Sequence, residues 1–393
     1  MIDKLPFNQN QKPMKKFILW VLIVFLSLSG FSQKLPVPAD KKATRETVAL
    51  FQSIWKLQQK GIMYGHQDDL MYGRTWWYEK DRSDTKDFTG DYPAVAGFEL
   101  GHLELGYERS LDSVSFAEIA DQIKAHYKRN GIITISWHLN NPLTMQLPDV
   151  KTNPQRGTAW DVSSKEVVAS ILPNGANHVL FNSWLDRLAT FFIALKDDKG
   201  NPIPFIFRPY HEHSGSFFWW GTGLCTDDQY SALWRYTVEY LRDKKNIHQI
   251  LYAYNTDRVT SLEQYLKGYP GDDVIDMMSL DMYDRGEQFN GELDNALKFV
   301  TETGISRKKL TALSETGERG GMSDWWSTVL LPIVSKYPLS YVLTWRHATI
   351  KNSQGMQNVV KPFRDDFLNF YKSPRSFFLK DIQKENIYKV KRK

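Results

Sequence analysis

The chain has 393 residues, of which 42% are hydrophobic and 14% are aromatic. This composition excludes a disordered protein, and the length suits either one large α/β barrel or two ordinary domains. The formal net charge of +5 and the single cysteine, Cys225, give no indication of a nucleic-acid partner and exclude an internal disulfide.

The N-terminal segment has the pattern of a secretory signal. Lys15 and Lys16 precede the apolar run FILWVLIVFL at residues 17–26, and the small and polar residues SLSGFSQ follow. The run is too short to span a bilayer comfortably. We therefore predict a signal peptide over residues 1–32, with Met14 as a candidate for the true start. The mature protein is then expected in the periplasm or outside the cell; a retained membrane anchor is the alternative.

From Lys60 onward, short apolar runs rich in β-forming residues alternate with longer segments of helical periodicity such as SFAEIADQIKAHYKRN. Eight runs are present, and they end near His66, Glu99, His138, Glu212, Asn255, Asp281, Glu315 and Arg346. This alternation predicts an α/β fold with a single catalytic domain, a (β/α)8 TIM barrel over residues 40–375, followed by a basic C-terminal tail over residues 376–393. A doubly wound open sheet is the rival architecture, but the sequence has no Gly-rich phosphate turn after an early strand.

Each predicted strand ends in polar or aromatic residues. Active sites of (β/α)8 barrels lie at the C-terminal ends of the strands, so these residues are the candidates for chemistry. The stretch from Asn140 to Asn182 is rich in Pro, Asn and Gly. We interpret it as an insertion after the third strand that overhangs the mouth of the barrel.

Two glutamates stand out at the strand ends. Glu212 lies between two histidines in RPYHEHSGSFFWWG, residues 208–221, and Glu315 ends the seventh run in LSETG. Side chains from the fourth and seventh strand ends can face each other across a barrel mouth. Retaining glycosidases use such a pair as acid and nucleophile, with carboxyl groups about 5 to 5.5 Å apart. A salt-bridged or surface carboxylate is the alternative for either glutamate alone.

The motif RPYHEHSGSFFWWG, with SLDMY, LSETG and TWR at the expected intervals, resembles the glycoside hydrolase family 26 β-mannanases from about Lys60 to Arg364. The resemblance implies a (β/α)8 barrel that cleaves β-1,4-mannosidic bonds by double displacement, without a metal or a cofactor. By the same resemblance, Glu212 matches the acid/base and Glu315 matches the nucleophile.

The resemblance and the aromatic run also supply substrate-binding candidates. Tyr283 matches a tyrosine that hydrogen-bonds the nucleophile, Trp345 matches an aromatic platform under the sugar at the cleavage subsite, and His138 and His211 match histidines that touch that sugar. The full set of candidates is His138, Trp160, His211, Phe217, Trp220, Asp281, Tyr283, Trp345 and Arg346.

Several of these assignments have alternatives. Asp281 and Arg346 match more distal sugar contacts, but an ion pair that holds the barrel rim would use the same residues. Tyr283 and Trp345 could instead be core aromatics. Family members often carry Trp at the position of Phe217, so stacking there is expected to differ.

The aromatic run also explains how an acid could work at neutral pH. Burial beside Phe217, Phe218, Trp219 and Trp220, together with repulsion from an ionised carboxylate across the mouth, favours the protonated form of the acid/base. The same rings could stack against the face of a pyranose.

We therefore predict a secreted, retaining mannan endo-1,4-β-mannosidase that acts as a monomer on β-mannan polysaccharide or manno-oligosaccharides. The alternatives are an exo-acting mannobiohydrolase, the same machinery acting on β-1,3-xylan or mixed-linkage glucan, and a glycan-binding envelope protein. His211 and His213 raise the possibility of a metal hydrolase, but no HExxH spacing occurs. We expect neither a metal nor a cofactor.

Overall fold

The computed structural model describes residues 35–318, 322–345 and 364–389. The predicted signal peptide, Arg346 and the last four residues of the basic tail lie outside these ranges. Among the described residues, no helix combines the length and the apolar character needed to cross a membrane.

Eight parallel strands close into a barrel. Each strand pairs with its neighbours in chain order, and the first strand pairs with both the second and the eighth, which completes the ring. The strands are β1 (Ile62–Gln67), β2 (Val95–Glu99), β3 (Ile132–Trp137), β4 (Phe205–Pro209), β5 (Ile250–Thr256), β6 (Met277–Asp281), β7 (Leu310–Thr316) and β8 (Tyr341–Thr344). The predicted (β/α)8 architecture is confirmed, and the rival open sheet is excluded because the sheet has no free edge between β8 and β1.

Helices connect the strands on the outside of the barrel. The α-helices are α1 (Arg45–Leu57), α2 (Asp84–Thr89), α3 (Phe116–Lys128), α4 (Val167–Ile171), α5 (His178–Ala194), α6 (Asp227–Glu239), α7 (Leu262–Tyr265), α8 (Phe289–Ser306), α9 (Leu331–Val334), α10 (Arg364–Tyr371) and α11 (Leu379–Gln383). Shorter helical turns occupy Leu103–Leu105, Pro148–Lys151, Tyr240–Lys244 and Trp326–Leu330. Helix α6 begins with a capping box in which Thr226 and Gln229 satisfy each other's backbone N–H groups.

Alternate residues of each strand enter two different apolar clusters. In β5, Tyr252 and Tyr254 belong to the large cluster that includes the surrounding helices, whereas Leu251 and Ala253 belong to a second cluster formed with the alternate residues of the other strands. This period of two follows from the pleat of a strand, which points successive side chains to opposite faces. The second cluster therefore fills the inside of the barrel.

The lower opening of the barrel is closed by both ends of the described chain. Residues from α1 and from the C-terminal segment, including Leu379, Ile382 and Ile387, join the inner cluster. A short strand β9 (Ser376–Phe377) also pairs with the start of β1. The packed fold thus extends through the segment predicted as a tail as far as Tyr388, because that segment carries the apolar residues that cover the inner cluster.

Candidate active site

The C-terminal ends of the strands bring the two predicted glutamates together. Glu315 lies in β7, and Glu212 follows β4, where the strand ends at Pro209. Both side chains are largely buried, with 9% of Glu212 and 4% of Glu315 exposed. Their carboxylate oxygens approach within 4.8 Å of each other, and an oxygen of Asp281 lies within the same distance of both.

A strained turn directs Glu212 into the mouth. Tyr210 and Glu212 have positive φ angles of 48° and 54°, a left-handed conformation that costs roughly 1 to 2 kcal/mol for a non-glycine residue. The turn is held by hydrogen bonds from the Gly215 N–H to the Glu212 carbonyl at 2.9 Å and from the Glu212 N–H to Asn255 Oδ1 at 3.0 Å. The left-handed residues also explain why β4 ends before the predicted limit near Glu212.

Glu315 is held by two donors. Arg208 donates to its Oε1, and the Tyr283 hydroxyl donates to its Oε2 at 2.5 Å, so the hydrogen bond predicted for Tyr283 is present. The pairing of β6 with β7 shifts register beside this residue, where Asp281 faces Glu315. A local irregularity of this kind re-aims a side chain at a strand end.

Arg208 was missed by the sequence analysis and lies at the centre of the site. Its guanidinium, 3% exposed, bridges Glu315 and Asp281, with a distance of 2.7 Å from Nη1 to Asp281 Oδ2. Burial alone would lower the pKa of Arg208, but the two carboxylates outweigh burial and raise it above its ordinary value. The available signal was a charged residue inside the apolar run PFIFRPY, which requires a buried partner.

The two glutamates have different electrostatic environments. Burial, and then the negative charges of Glu315, Asp281 and Asp257, hold the pKa of Glu212 well above its ordinary value of about 4.5. Glu315 instead receives a cation and a hydroxyl donor. The pKa of one carboxyl group is thus raised, while the other accepts hydrogen bonds from a guanidinium and a hydroxyl group; acid–nucleophile pairs have unlike environments of this kind.

The same three carboxylates could hold a metal ion by proximity alone, but the oxygens of two of them, Asp281 and Glu315, already have donors. Arg208 and Asn255 donate to the two oxygens of Asp281, and Arg208 and Tyr283 donate to those of Glu315. The guanidinium supplies the positive charge that a metal ion would bring. The donor set fits an ion-paired network better than a metal centre.

The aromatic run, residues 217–220, forms a packed cluster that follows the Glu212 turn in the chain. Trp219 and Trp220 are fully buried; Trp219 Nε1 donates to the Leu139 carbonyl at 3.2 Å, and Trp220 Nε1 donates to the His211 carbonyl at 2.8 Å. Phe218 stacks on Trp220 with ring centres 4.5 Å apart. The ring of Trp220 has no exposed face in this structure, so the sugar stacking expected of it stays a prediction; Phe217, 37% exposed, is the accessible member of the run.

A second buried network lies on the β3 side of the mouth. Glu99 Oε2 is 2.8 Å from His138 Nδ1, and His138 Nε2 is 3.0 Å from His211 Nε2. Glu99 also accepts hydrogen bonds from the backbone N–H groups of Gly101 and His138. Burial would raise the pKa of Glu99, but His138 outweighs burial and lowers it to about 2. His211 contacts His138 and is only 1% exposed. It therefore has almost no accessible surface for contact with a sugar.

The predicted insertion reaches the mouth through Trp160. Its ring stacks on His138 with centres 5.4 Å apart, and 41% of the residue is exposed. Asn141 shapes the loop by donating to the Asp161 carbonyl at 2.9 Å, and the Asp161 carboxylate accepts from the Gly157 N–H. Gly157 has φ 78°, and an added Cβ would lie 2.7 Å from Met145 Cα, so this turn needs glycine. Trp345 approaches the same histidine, with ring centres 5.7 Å apart.

Two other candidate residues have partners within the fold. Asp281 is fully buried and paired with Arg208 and Asn255; Arg346, its predicted alternative partner, lies outside the described residues, and the sugar contact of Asp281 stays a prediction. His213 also lies beyond β4 rather than within it. Its ring stacks on Tyr230 with centres 4.1 Å apart, and both ring nitrogens lie 3.0 Å from the backbone carbonyl oxygens of Asn255 and Lys267, so neither nitrogen is available to share a metal with His211.

Comparisons with known proteins identify the family of the chain. The sequence pattern described as Glycosyl hydrolase family 26 matches residues 39–371. A mannan endo-1,4-β-mannosidase from Bifidobacterium adolescentis is 32% identical over 78% of the chain, and the match spans 32% of that protein's length. A mannan endo-1,4-β-mannosidase from Bacillus subtilis is 25% identical over 84% of the chain and 89% of its own length.

A solved structure is also similar. The GH26 β-mannanase of Bacteroides ovatus superimposes with a TM-score of 0.82 at 42% sequence identity, and the match covers 88% of this chain and 98% of that one. The similarity thus extends over the whole barrel and is not confined to one motif.

Replacing Arg208 by methionine is expected to destabilise the fold by about 3 to 5 kcal/mol at pH 7, because two buried carboxylates lose their counter-charge. Burial already raises the folded-state pKa of Asp281, and the Arg208 charge is the largest influence that lowers it, so the pKa of Asp281 should rise further in the variant. The loss should therefore grow as the pH rises and shrink towards pH 4. Urea unfolding of the wild-type protein and the variant at several pH values measures this loss of unfolding free energy.

Arg235→Met is the matched control. Arg235 is 37% exposed and also pairs with a carboxylate, Asp273, at 2.7 Å, so its loss should cost no more than about 1 kcal/mol. Equal losses in the two variants, or a loss for Arg208→Met that does not change with pH, would contradict the assigned role of Arg208.

Proposed function

Because the chain belongs to glycosyl hydrolase family 26, we propose that it is a mannan endo-1,4-β-mannosidase that cleaves mannan, galactomannan or glucomannan with retention of configuration. The observation that carries the proposal is the pair formed by Glu212 and Glu315, two carboxyl groups that lie close together in unlike electrostatic environments. Relatives with this named activity support the choice of substrate.

In the first step, the Glu315 carboxylate attacks the anomeric carbon of the sugar. Glu212 transfers its proton to the glycosidic oxygen as the carbon–oxygen bond breaks. The raised pKa of Glu212 supports the acid role, because the group must still hold its proton at neutral pH. Arg208 and Tyr283 bind the two oxygens of Glu315 and so orient the nucleophile.

In the second step, water attacks the anomeric carbon of the glycosyl–Glu315 ester, and Glu212 accepts the proton from that water. The ester bond breaks, and Glu315 returns to its carboxylate form. While the ester exists, Glu315 carries no charge, so one contribution to the raised pKa of Glu212 is absent. An approach of carboxylate oxygens within 4.8 Å favours this double displacement, because inverting enzymes separate their carboxyl groups by roughly 6.5 to 9.5 Å to admit water.

The sugar is expected to bind between aromatic rings beside His138. Trp160 is the exposed ring next to this histidine, and Trp345 lies on another side of it. Flat, partly exposed rings of this kind suit the apolar face of a pyranose. The rings account for binding of a β-glycan; the choice of mannan over xylan or glucan rests on the family relatives.

Product analysis on β-1,4-mannan and reduced mannohexaose tests the proposal. The wild-type protein should release a mixture of oligosaccharides. Glu212→Ala and Glu315→Ala should each lose at least about 10³-fold in kcat/KM, because each removes a group that acts in the bond-breaking step.

The pattern of products separates the alternatives. Mannobiose as the sole product would keep the mechanism and make the enzyme exo-acting. Release from β-1,3-xylan or mixed-linkage glucan alone would change the substrate. Binding to mannan without cleavage of any of these glycans would refute the enzyme and favour a glycan-binding protein.

The pH dependence follows from the state of Glu212. The first step needs its protonated form, and its pKa is held well above about 4.5, so kcat/KM should stay high through mildly acidic pH and fall as the pH rises through that pKa. The Glu212→Ala variant, assayed on an aryl mannobioside with a good leaving group, should lack this alkaline decline. A decline that persists in the variant would assign it to another group.

We also propose that the protein is exported, on the basis of the sequence pattern at residues 15–33. N-terminal sequencing of the protein recovered from the periplasm or medium of a bacterial host should find a mature chain that begins near residue 33. Recovery of an uncut chain in the membrane fraction would support the retained anchor instead.

A further inference from the structure

Asn255 connects the backbone of one glutamate to the network of the other. It lies near the end of β5 and is fully buried. Its Oδ1 accepts the hydrogen bond from the Glu212 N–H at 3.0 Å, and its Nδ2 donates to Asp281 Oδ1 at 2.8 Å. Asp281 in turn pairs with Arg208.

The orientation of this amide is fixed by its surroundings. Besides Asp281, Nδ2 faces the hydroxyl oxygens of Ser279 at 3.2 Å and Ser314 at 3.3 Å. The only partner of Oδ1 among the described residues is a backbone N–H donor. Exchanging the two amide atoms would place oxygen against the Asp281 carboxylate and NH2 against an N–H group, so the arrangement has one solution.

The hydrogen bond acts where the backbone is strained. Glu212 has φ 54°, a conformation that persists only when its surroundings hold it. A buried N–H group that loses its acceptor costs free energy comparable to the strain itself. Loss of Asn255 Oδ1 would therefore release the turn that aims the Glu212 carboxyl group.

We propose that Asn255 is a positioning residue for Glu212, and that it supports proton transfer to the leaving group more than attack by the nucleophile. This inference rests on the proposed glycosidase function. The link to Glu212 is a single direct hydrogen bond, whereas the link to Glu315 passes through Asp281 and Arg208. Arg208 and Tyr283 continue to hold Glu315 when Asn255 is replaced.

Substrates with different leaving groups distinguish the two links. Mannohexaose has a poor leaving group that needs the proton from Glu212. The 2,4-dinitrophenolate group of 2,4-dinitrophenyl β-mannobioside leaves without that proton. Asn255→Ala is expected to lower kcat/KM on mannohexaose by about 10²-fold, the usual scale of general acid catalysis. The loss of kcat/KM on the aryl substrate should stay below about 10-fold. Equal losses on both substrates would overturn the proposal.

Two further variants separate positioning from general destabilisation. Asn255→Asp keeps an oxygen facing the Glu212 N–H, while its second oxygen replaces the donor to Asp281 and repels that carboxylate. It should therefore lose activity, but to a similar extent on the two substrates. Gln249→Ala removes a buried hydrogen bond, to the Phe192 carbonyl at 3.1 Å, beside the start of the same strand. Its losses should be small and independent of the leaving group. A marked leaving-group dependence in Gln249→Ala would contradict the specific role of Asn255.

Hydrogen exchange at the Glu212 amide gives a readout that needs no activity. The amide should exchange faster in Asn255→Ala than in wild type and Gln249→Ala, because its acceptor is gone. Unchanged exchange would overturn the proposal. If the wild-type protein cleaves neither mannohexaose nor the aryl substrate, the proposed function fails, while the exchange result still decides whether Asn255 holds Glu212.

Discussion

The site depends on one buried cation shared by two carboxylates. Arg208 is held between Asp281 and Glu315 with almost no exposed surface. A guanidinium in this position is stable only when anions surround it, and those anions are stable only when it is present. This mutual requirement brings the ends of β4, β6 and β7 together. It also keeps negative charge near Glu212, which contributes to the protonated state of that residue.

Around this ion pair, the buried polar side chains mainly form hydrogen bonds with one another and with the backbone. Glu99 fixes His138, His138 contacts His211, and Asn255 holds the strained turn of Glu212. Trp219 and Trp220 donate hydrogen bonds from their indole N–H groups to backbone carbonyls. Within the described ranges, the mouth therefore presents few groups to a ligand, chiefly the two glutamates, His138 and the rings of Trp160, Trp345 and Phe217. Most of the remaining residues keep these few in a fixed geometry.

The sequence predicts the barrel well because its signals are local. Each strand is a short apolar run and each polar residue at its end stands beside it in the chain, so Glu212, Glu315 and Tyr283 could be placed from spacing and motif. Arg208, Asn255 and Glu99 could not be assigned, since their roles depend on partners from other strands. The burial of Trp220 and Asp281 could not be predicted for the same reason: a residue type that suits a sugar equally suits a buried hydrogen bond, and only the packed structure separates the two.

The packing of both ends of the described chain on the lower opening has a consequence for folding order. Ile62 in β1 pairs with Ser376 in β9, and Met63 pairs with Tyr341 in β8. These contacts join the first strand to the last segments, so they close the longest loops in the chain. A nascent chain cannot pair β1 with β8 until nearly all of the chain has been synthesised. The edge of β1 that faces β8 therefore stays unpaired throughout that time.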